Sequence, residues 1–365
     1  MRTDNVPSEA VKPVEHPPTM KALVFHGPGR RSWEARPRPS IHEATDAIVR
    51  ITTATICGTD LHILRGDVPE VPVGTVLGHE AVGTVLEVGP GVRTVRPGDR
   101  VLMSCISSCG RCRFCREGRY GQCQGGGGWV LGHTIDGVQA EAVRIPFADG
   151  SVHRLPAEVP DEAALMLADI LPTSYEVGVL NGAVRPGDTV VIIGAGPIGL
   201  AAILSAGLYS PLTTVVVDPV PGRRDAAAAL GADLVLSPDD DVAAAVRERT
   251  GGLGADVTIE AVGVPDSFDL AVSLVRPGGR VANVGVHGKP TTLHLEELWI
   301  KDVTITTGLV DTTSTPMLLR MLAAGRIDVS RLVTHRFGFD QVPEAYEVFD
   351  DPKGSGALKV AVLRR

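Results

Sequence analysis

The chain is short of several things that would point elsewhere. It has no excess of positive charge: 35 Lys and Arg stand against 43 Asp and Glu, a formal net charge of −8 over 365 residues. A nucleic acid or an anionic membrane surface selects for a basic face, so neither is expected as a partner. Lysine itself is scarce, six against 29 arginines, which reflects genomic base composition and carries no functional message. The first 19 residues lack an apolar signal core; they are polar and contain proline. They are expected to form a flexible arm or an upstream start, not a targeting segment. There is no internal repeat, and no low-complexity tract beyond a few glycines. Apolar residues at 44% and charged residues at 21% fit a packed globular chain.

One absence is local. Thr189 to Val217 holds no charged residue over 29 positions, long enough to suggest a membrane span. Gly194, Gly196, Gly199, Pro197 and Pro211 interrupt it, so a buried strand, a turn and a helix are expected instead. Parallel strands covered on both faces read as continuous apolar runs.

Cysteine is used six times and almost all in one place: Cys105, Cys109, Cys112, Cys115 and Cys123 fall within 19 residues, with Cys57 apart. Clustering of this kind, in a large chain with no signal peptide, points to metal ligation in a reducing cytoplasm more than to disulfides. Cys109-x2-Cys112-x2-Cys115-x7-Cys123 supplies four thiolates at a spacing that closes a tetrahedral zinc site with no open position, which makes it structural. Arg111, Arg113, Arg116 and Arg119 interleave with these cysteines; without aromatic partners they read as a solvated basic face.

The rhythm of the chain changes once. Residues 20–172 carry short strand-like runs (KALVF, DAIVRI, EAVGTVLEVG, DRVLM, AEAVRI) punctuated by Gly and Pro, the pattern of a small antiparallel barrel or sandwich. From 173 to 313 strand and helix alternate. TVVIIG, TVVVD, DLVLS, DVTIEAV, RVANVG and TITTGL are six strand candidates, with RRDAAAAL, DVAAAVRERT and DSFDLAVSLV as helices between them. Such alternation predicts an α/β doubly wound parallel sheet. Residues 314–365 offer a helix (TPMLLRMLAAG) and a last strand (ALKVAVL) that return to the first domain.

Gly194-Ala195-Gly196-Pro197-Ile198-Gly199 follows a strand and opens an apolar helix, the context that gives GxGxxG its meaning. Gly194 permits the tight turn, Gly196 the approach of a pyrophosphate, and Gly199 close packing of helix on strand. The helix N-terminus favours the anion. Asp218 ends the next strand, 24 residues on. A carboxylate there accepts hydrogen bonds from ribose hydroxyls and repels a 2′-phosphate, which favours NAD over NADP. Arg223 and Arg224 nearby keep NADP as a lesser alternative.

Cys57, in TICGTDLH, and His79, in LGHEAVG, could begin a catalytic zinc site; as isolated residues they read equally as a buried small side chain and a turn histidine. Together, CGTDLH, GHEAVGTVLEVGPGV, PGDRV, the four-cysteine segment and GAGPIG, in this order and spacing, resemble the zinc-containing alcohol dehydrogenases of the medium-chain dehydrogenase/reductase superfamily. The resemblance covers about residues 20–365. It implies a GroES-like β-barrel catalytic domain with a structural zinc lobe at 105–125, a Rossmann domain, and a C-terminal return to the barrel.

It also implies two zinc ions per chain, with Cys57 and His79 holding the catalytic one. Liver-type members place a cysteine as third ligand, and none remains here. Ala168-Asp169-Ile170-Leu171-Pro172-Thr173 is similar instead to bacterial secondary-alcohol dehydrogenases and glutathione-independent formaldehyde dehydrogenases, whose third ligand is Asp; Asp169 takes that place. Glu80 then lies beside the metal or joins it transiently, since a rigid loop rarely aims two adjacent side chains at one ion. By the same resemblance Thr59 and His62 form a proton relay with a ribose hydroxyl, and Cys105, Ile106 and Trp129 line the substrate pocket. Thr173, Val262, Val284 and Leu309 join the cofactor contacts, Leu309 walling the pocket, and Lys359 matches a lysine near the cofactor. The implied reaction is reversible hydride transfer between a small primary or secondary alcohol and NAD. Formaldehyde and polyol dehydrogenases are the alternatives within the class, and a catalytically silent NAD-sensing protein is the alternative outside it. A homo-tetramer or homo-dimer is expected by analogy alone.

Overall fold

A computed structural model describes residues 17–364. Most of the expected N-terminal arm, residues 1–16, lies outside the described residues; the chain is already paired at Thr19. The strands are β1 (Thr19–Phe25), β2 (Arg31–Pro37), β3 (Ala47–Thr55), β4 (Ala81–Val88), β5 (Arg100–Met103), β6 (Ala142–Ile145) and β7 (Val152–Arg154), then β8 (Thr189–Ile193), β9 (Thr213–Val217), β10 (Leu234–Leu236), β11 (Ala255–Glu260), β12 (Val275–Asn283) and β13 (Thr304–Thr307), and finally β14 (Val333–Gly338) and β15 (Lys359–Leu363).

β1 and β2 form an antiparallel hairpin. A seven-stranded sheet runs β14-β15-β3-β4-β5-β7, with β6 also on β3. β15 lies antiparallel to β3, pairing Ala361 with Thr55, so the end of the chain closes the first sheet beside the residues that lead into Cys57. The inward faces of β3, β4 and β5 pack a core of Val49, Ile51, Val85, Val101 and Met103. Truncating Ile51 or Met103 to alanine costs about 2–5 kcal/mol.

The six expected α/β strands form one parallel sheet in the order β10-β9-β8-β11-β12-β13. The strand order reverses between β8 and β11, and in such sheets the crevice at the C-terminal strand ends, at that reversal, is where ligands bind. All five residues of β8 are buried, and most of the helix Pro197–Gly207 and of β9 is buried too, which accounts for most of the charge-free run. No helix among the described residues is long and apolar enough to cross a membrane.

The turn after β8 needs its glycines. Gly194 adopts φ +94°, and a Cβ on Gly199 would sit 1.8 Å from the Gly194 carbonyl oxygen. Helix and strand meet backbone to backbone there, and any side chain would drive them apart.

Glu176 braces the other edge of the crevice. It lies on the π-helical segment Ser174–Leu180. One of its oxygens accepts the Asp311 and Thr312 N–H groups at 2.8 and 3.0 Å, and the other accepts the Ser314 N–H at 2.7 Å. Asp311 in turn accepts the Gly121 N–H at 2.8 Å. The four-cysteine lobe, the segment 309–314 and the passage between the two sheets are thereby fastened together.

Candidate active site

Three separate stretches bring donors to one point. Cys57 precedes the helix Gly58–Arg65; His79 and Glu80 precede β4; Asp169 precedes the short helix Ile170–Thr173. One ligand atom from each of Cys57, His79, Glu80 and Asp169 lies within 4.8 Å of the others. Cys57 Sγ is 3.7 Å from Asp169 Oδ2, and His79 Nε2 is 3.4 Å from the same oxygen. Asp169 does not cap its helix through its side chain. Its other oxygen accepts the Thr173 hydroxyl at 2.5 Å and the Cys105 thiol at 3.7 Å, which turns the carboxylate toward Cys57 and His79.

The electrostatics follow from this crowding. Burial works against a charged His79, but Asp169 and Cys57 hold its imidazole well above the usual range. Burial would raise Asp169, and the hydrogen bond and charge of His79 outweigh it, lowering the carboxyl to about 2. Burial pushes the thiols of Cys57 and Cys105 up, helped by nearby carboxylates. A soft thiolate, an imidazole and a hard carboxylate match zinc chemistry. One buried oxygen, Glu80 Oε2, has no partner, and such an atom is costly unless something supplies positive charge. The donor set fits a divalent zinc.

Glu80 stands at the edge of this cluster. Although adjacent to His79, its Oε1 lies 3.9 Å from His79 Nε2, so both side chains reach the same cluster. Lys359 stands behind Glu80. It is fully buried, donating to Glu80 Oε1 at 2.6 Å and to Ile56 O at 3.1 Å.

Beside the donors, Cys105, Ile106, Val177 and Val310 form a small buried apolar cluster, with Tyr120, Trp129 and Val284 packed on it. Trp129 stands edge-on to His79, ring centroids 6.3 Å apart, and stacks on His133 at 4.2 Å. Leu309 and Val262 remain 44% and 45% exposed, apolar surface that borders the crevice. Thr59 Oγ1 is 3.8 Å from Cys57 Sγ. His62 Nδ1 is bonded to Asp67 at 2.8 Å.

Asp218 is nearly buried. Its two oxygens accept the Ala195 and Val220 N–H groups, each at 2.8 Å, tying the glycine turn to the end of β9. Each oxygen keeps a further lone pair. Arg223 lies 3.9 Å from this carboxylate, with a buried Nε that lacks a partner. Arg224 instead donates to the Asp218 carbonyl at 2.7 Å.

The sulfurs of Cys109, Cys112, Cys115 and Cys123 also lie within 4.8 Å of one another. Backbone N–H groups of Cys112, Cys115 and Gly125 donate to sulfurs at 3.4 to 3.5 Å, stabilising thiolates. The N–H of Cys115 accordingly helps lower the Cys112 thiol to about 6. A Cβ on Gly125 would lie 2.4 Å from Cys109 Sγ, so the glycine loop is part of the site.

Sequence reasoning missed Asp60, Gln139 and Tyr346. Asp60 alone left a signal: an acid three residues after Cys57, where a carboxylate reaches back to the N–H that opens a helix.

The fold and site define a zinc-binding dehydrogenase with a nicotinamide cofactor. Residues 43–157 match the family model of the alcohol dehydrogenase GroES-like domain, and residues 197–324 that of the zinc-binding dehydrogenases. An alcohol dehydrogenase of Cupriavidus necator is 37% identical, covering 94% of this chain and 98% of the relative. An NADP-dependent isopropanol dehydrogenase of Thermoanaerobacter brockii is 35% identical, covering 94% and 99%. The solved structure of zinc dependent alcohol dehydrogenase 2 from Streptococcus pneumonia, in its apo form, superposes with a TM-score of 0.91 at 45% identity, covering 94% and 98%. The chain belongs to the zinc-dependent alcohol dehydrogenases of the medium-chain dehydrogenase/reductase superfamily.

Proposed function

We propose that this alcohol dehydrogenase uses NAD, holds two zinc ions per chain and interconverts small primary or secondary alcohols with their carbonyl products. The observation that carries the reading is the convergence of Cys57, His79 and Asp169 beside an apolar cluster. Cys57, His79 and Asp169 would hold the catalytic zinc, with Glu80 at its edge, and Cys109, Cys112, Cys115 and Cys123 the structural one. When bound, the catalytic zinc supplies Lewis acidity that lowers the pKa of an alcohol oxygen, and the nicotinamide supplies the hydride acceptor.

The chain's residues do the rest. Ile106, Trp129 and Val310 exclude water and favour a short apolar substituent. Thr173 keeps Asp169 turned to the donors. The Thr59 hydroxyl can accept a proton while donating another, as a relay must. Asp67 on His62 Nδ1 leaves Nε2 as the atom that takes the proton and releases it to solvent. At the crevice, the N-terminus of the helix Pro197–Gly207 suits a pyrophosphate, and Val262, Val284 and Leu309 would contact the rest of the dinucleotide. The division into residues 20–172, 173–313 and 314–365 belongs to the same reading.

A panel of short primary and secondary alcohols, followed through reduced-nicotinamide absorbance with NAD and with NADP, tests it. Turnover with NAD on short alcohols is the expected result. A preference for NADP overturns the role given to Asp218 and points to Arg223.

A further inference from the structure

Gln139 joins the two loops that carry Cys57 and His79. On one side its backbone N–H donates to Leu77 O at 2.9 Å, and Val138 N–H donates to Gly78 O at 3.0 Å, directly before His79. On the other, its Nε2 donates to Thr55 O at 3.1 Å and to Asp60 Oδ2 at 3.0 Å. Asp60 Oδ2 also accepts the Cys57 N–H at 2.9 Å. The side chain therefore grips both flanks of Cys57 while the backbone grips the approach to His79.

An amide has two nearly isosteric orientations, and here the surroundings choose one. Nε2 spends both protons on acceptors, a carbonyl and a carboxylate. Turned over, Oε1 would face those acceptors with no proton between them. The remaining atom, Oε1, accepts the Tyr346 hydroxyl at 2.7 Å. All three side chains are buried: Tyr346 at 0%, Asp60 at 1% and Gln139 at 3% exposure. An unmade hydrogen bond there is expensive, and a satisfied network specifies one geometry. Tyr346 comes from the helix Val342–Asp350, more than 200 positions along the chain. Arg31 lies over its ring, 4.6 Å from the centroid, and pairs with Glu347 at 2.7 Å.

We propose that Tyr346 is a positioning residue whose hydroxyl, by fixing the Gln139 amide against Asp60 and Thr55, holds the Cys57 and His79 loops in register for metal binding. The proposal rests on the reading of Cys57 and His79 as zinc ligands. It assigns to the helix Val342–Asp350 a part in the catalytic centre that is exerted through Gln139 and Asp60.

The test uses Tyr346→Phe, Gln139→Leu and their combination in the zinc-loaded protein. Phe keeps the ring under Arg31 and removes only the hydroxyl. Three quantities are read: kcat against KM, the rate at which a chromophoric chelator strips zinc from the catalytic site, and the thermal midpoint. Tyr346→Phe is expected to lower kcat and to speed zinc release, each by about 10-fold, the lower end for partners that orient ligands, with KM for NAD unchanged. In the Gln139→Leu background the same change should do nothing further, because the hydroxyl acts through the amide. Wild-type kcat and wild-type zinc release in Tyr346→Phe, whatever its thermal midpoint, would overturn the proposal. So would a loss of equal size in both backgrounds. Failure of the underlying reading looks different: the wild-type protein itself would release no zinc that Cys57→Ser abolishes.

Discussion

Lys359 Nζ lies 2.6 Å from Glu80 Oε1, and each side chain is 1% exposed. Burial works against the charged lysine, yet the Glu80 charge outweighs it and raises the Lys359 pKa. Burial likewise raises Glu80, with Lys359 pulling it back down. Because Lys359 also donates to the carbonyl just before Cys57, one ammonium restrains both Glu80 and the Cys57 loop. Breaking one half of a buried pair leaves an uncompensated charge, at a cost of about 3–5 kcal/mol. Lys359→Met should destabilise the fold by roughly that amount, and adding Glu80→Gln should restore most of it. Urea denaturation of the two variants measures both. A Lys359→Met protein as stable as wild type would show that the pair is not held as described.

Zinc removal should proceed in two stages. On the proposed two-site reading, the donors beside the apolar cluster leave an open position, whereas the four thiolates close theirs. Mild chelation should take about one zinc and nearly all activity, leaving the fold. Complete removal, or Cys112→Ser, should loosen the lobe that Gly121 fastens to Asp311 and lower thermal stability. One zinc per chain with full activity would remove the two-site reading.

On the proposed reading, cofactor choice turns on Asp218. Asp218→Ala removes the acceptor proposed for the ribose hydroxyls and the repulsion of a 2′-phosphate. It also frees the Ala195 N–H that the carboxylate holds. KM for NAD should rise about 10-fold or more, in line with about 1.5–3 kcal/mol for a lost charged hydrogen bond, while KM for NADP falls. Initial rates at varied concentrations of each nucleotide decide it.

What the sequence made legible was local or periodic. The cysteine spacing, the GAGPIG turn and the six alternating strands each sit within a few residues of their own evidence, and the sheet forms from those six. Asp169 was legible only through resemblance, because nothing near it distinguishes a ligand from a helix cap. β2, β7 and β14 escaped: RSWEARP and VTHRFG carry charges on edge-lying or half-exposed faces, and β7 has three residues. Lys359, Gln139 and Tyr346 were out of reach for another reason. Lys359 meets Glu80 across 279 positions and Tyr346 meets Gln139 across 207. Only the return of the C-terminal segment onto β3 creates those contacts.

His153 gives stability a pH dependence whose sign is fixed. It lies on β7, and burial pushes its pKa down to about 4 from an ordinary 6.5. Between those values the unfolded chain binds a proton that the folded chain does not, so stability falls as pH drops. The contribution is whole above pH 6.5 and is lost progressively toward about pH 4, up to about 3 kcal/mol at 1.36 kcal/mol per unit. His153→Leu should flatten the urea-denaturation free energy between pH 7 and 5 relative to wild type, since it removes the group that unfolding protonates. An unchanged slope would mean that His153 is hydrated or paired in solution and that other groups set the acid limb.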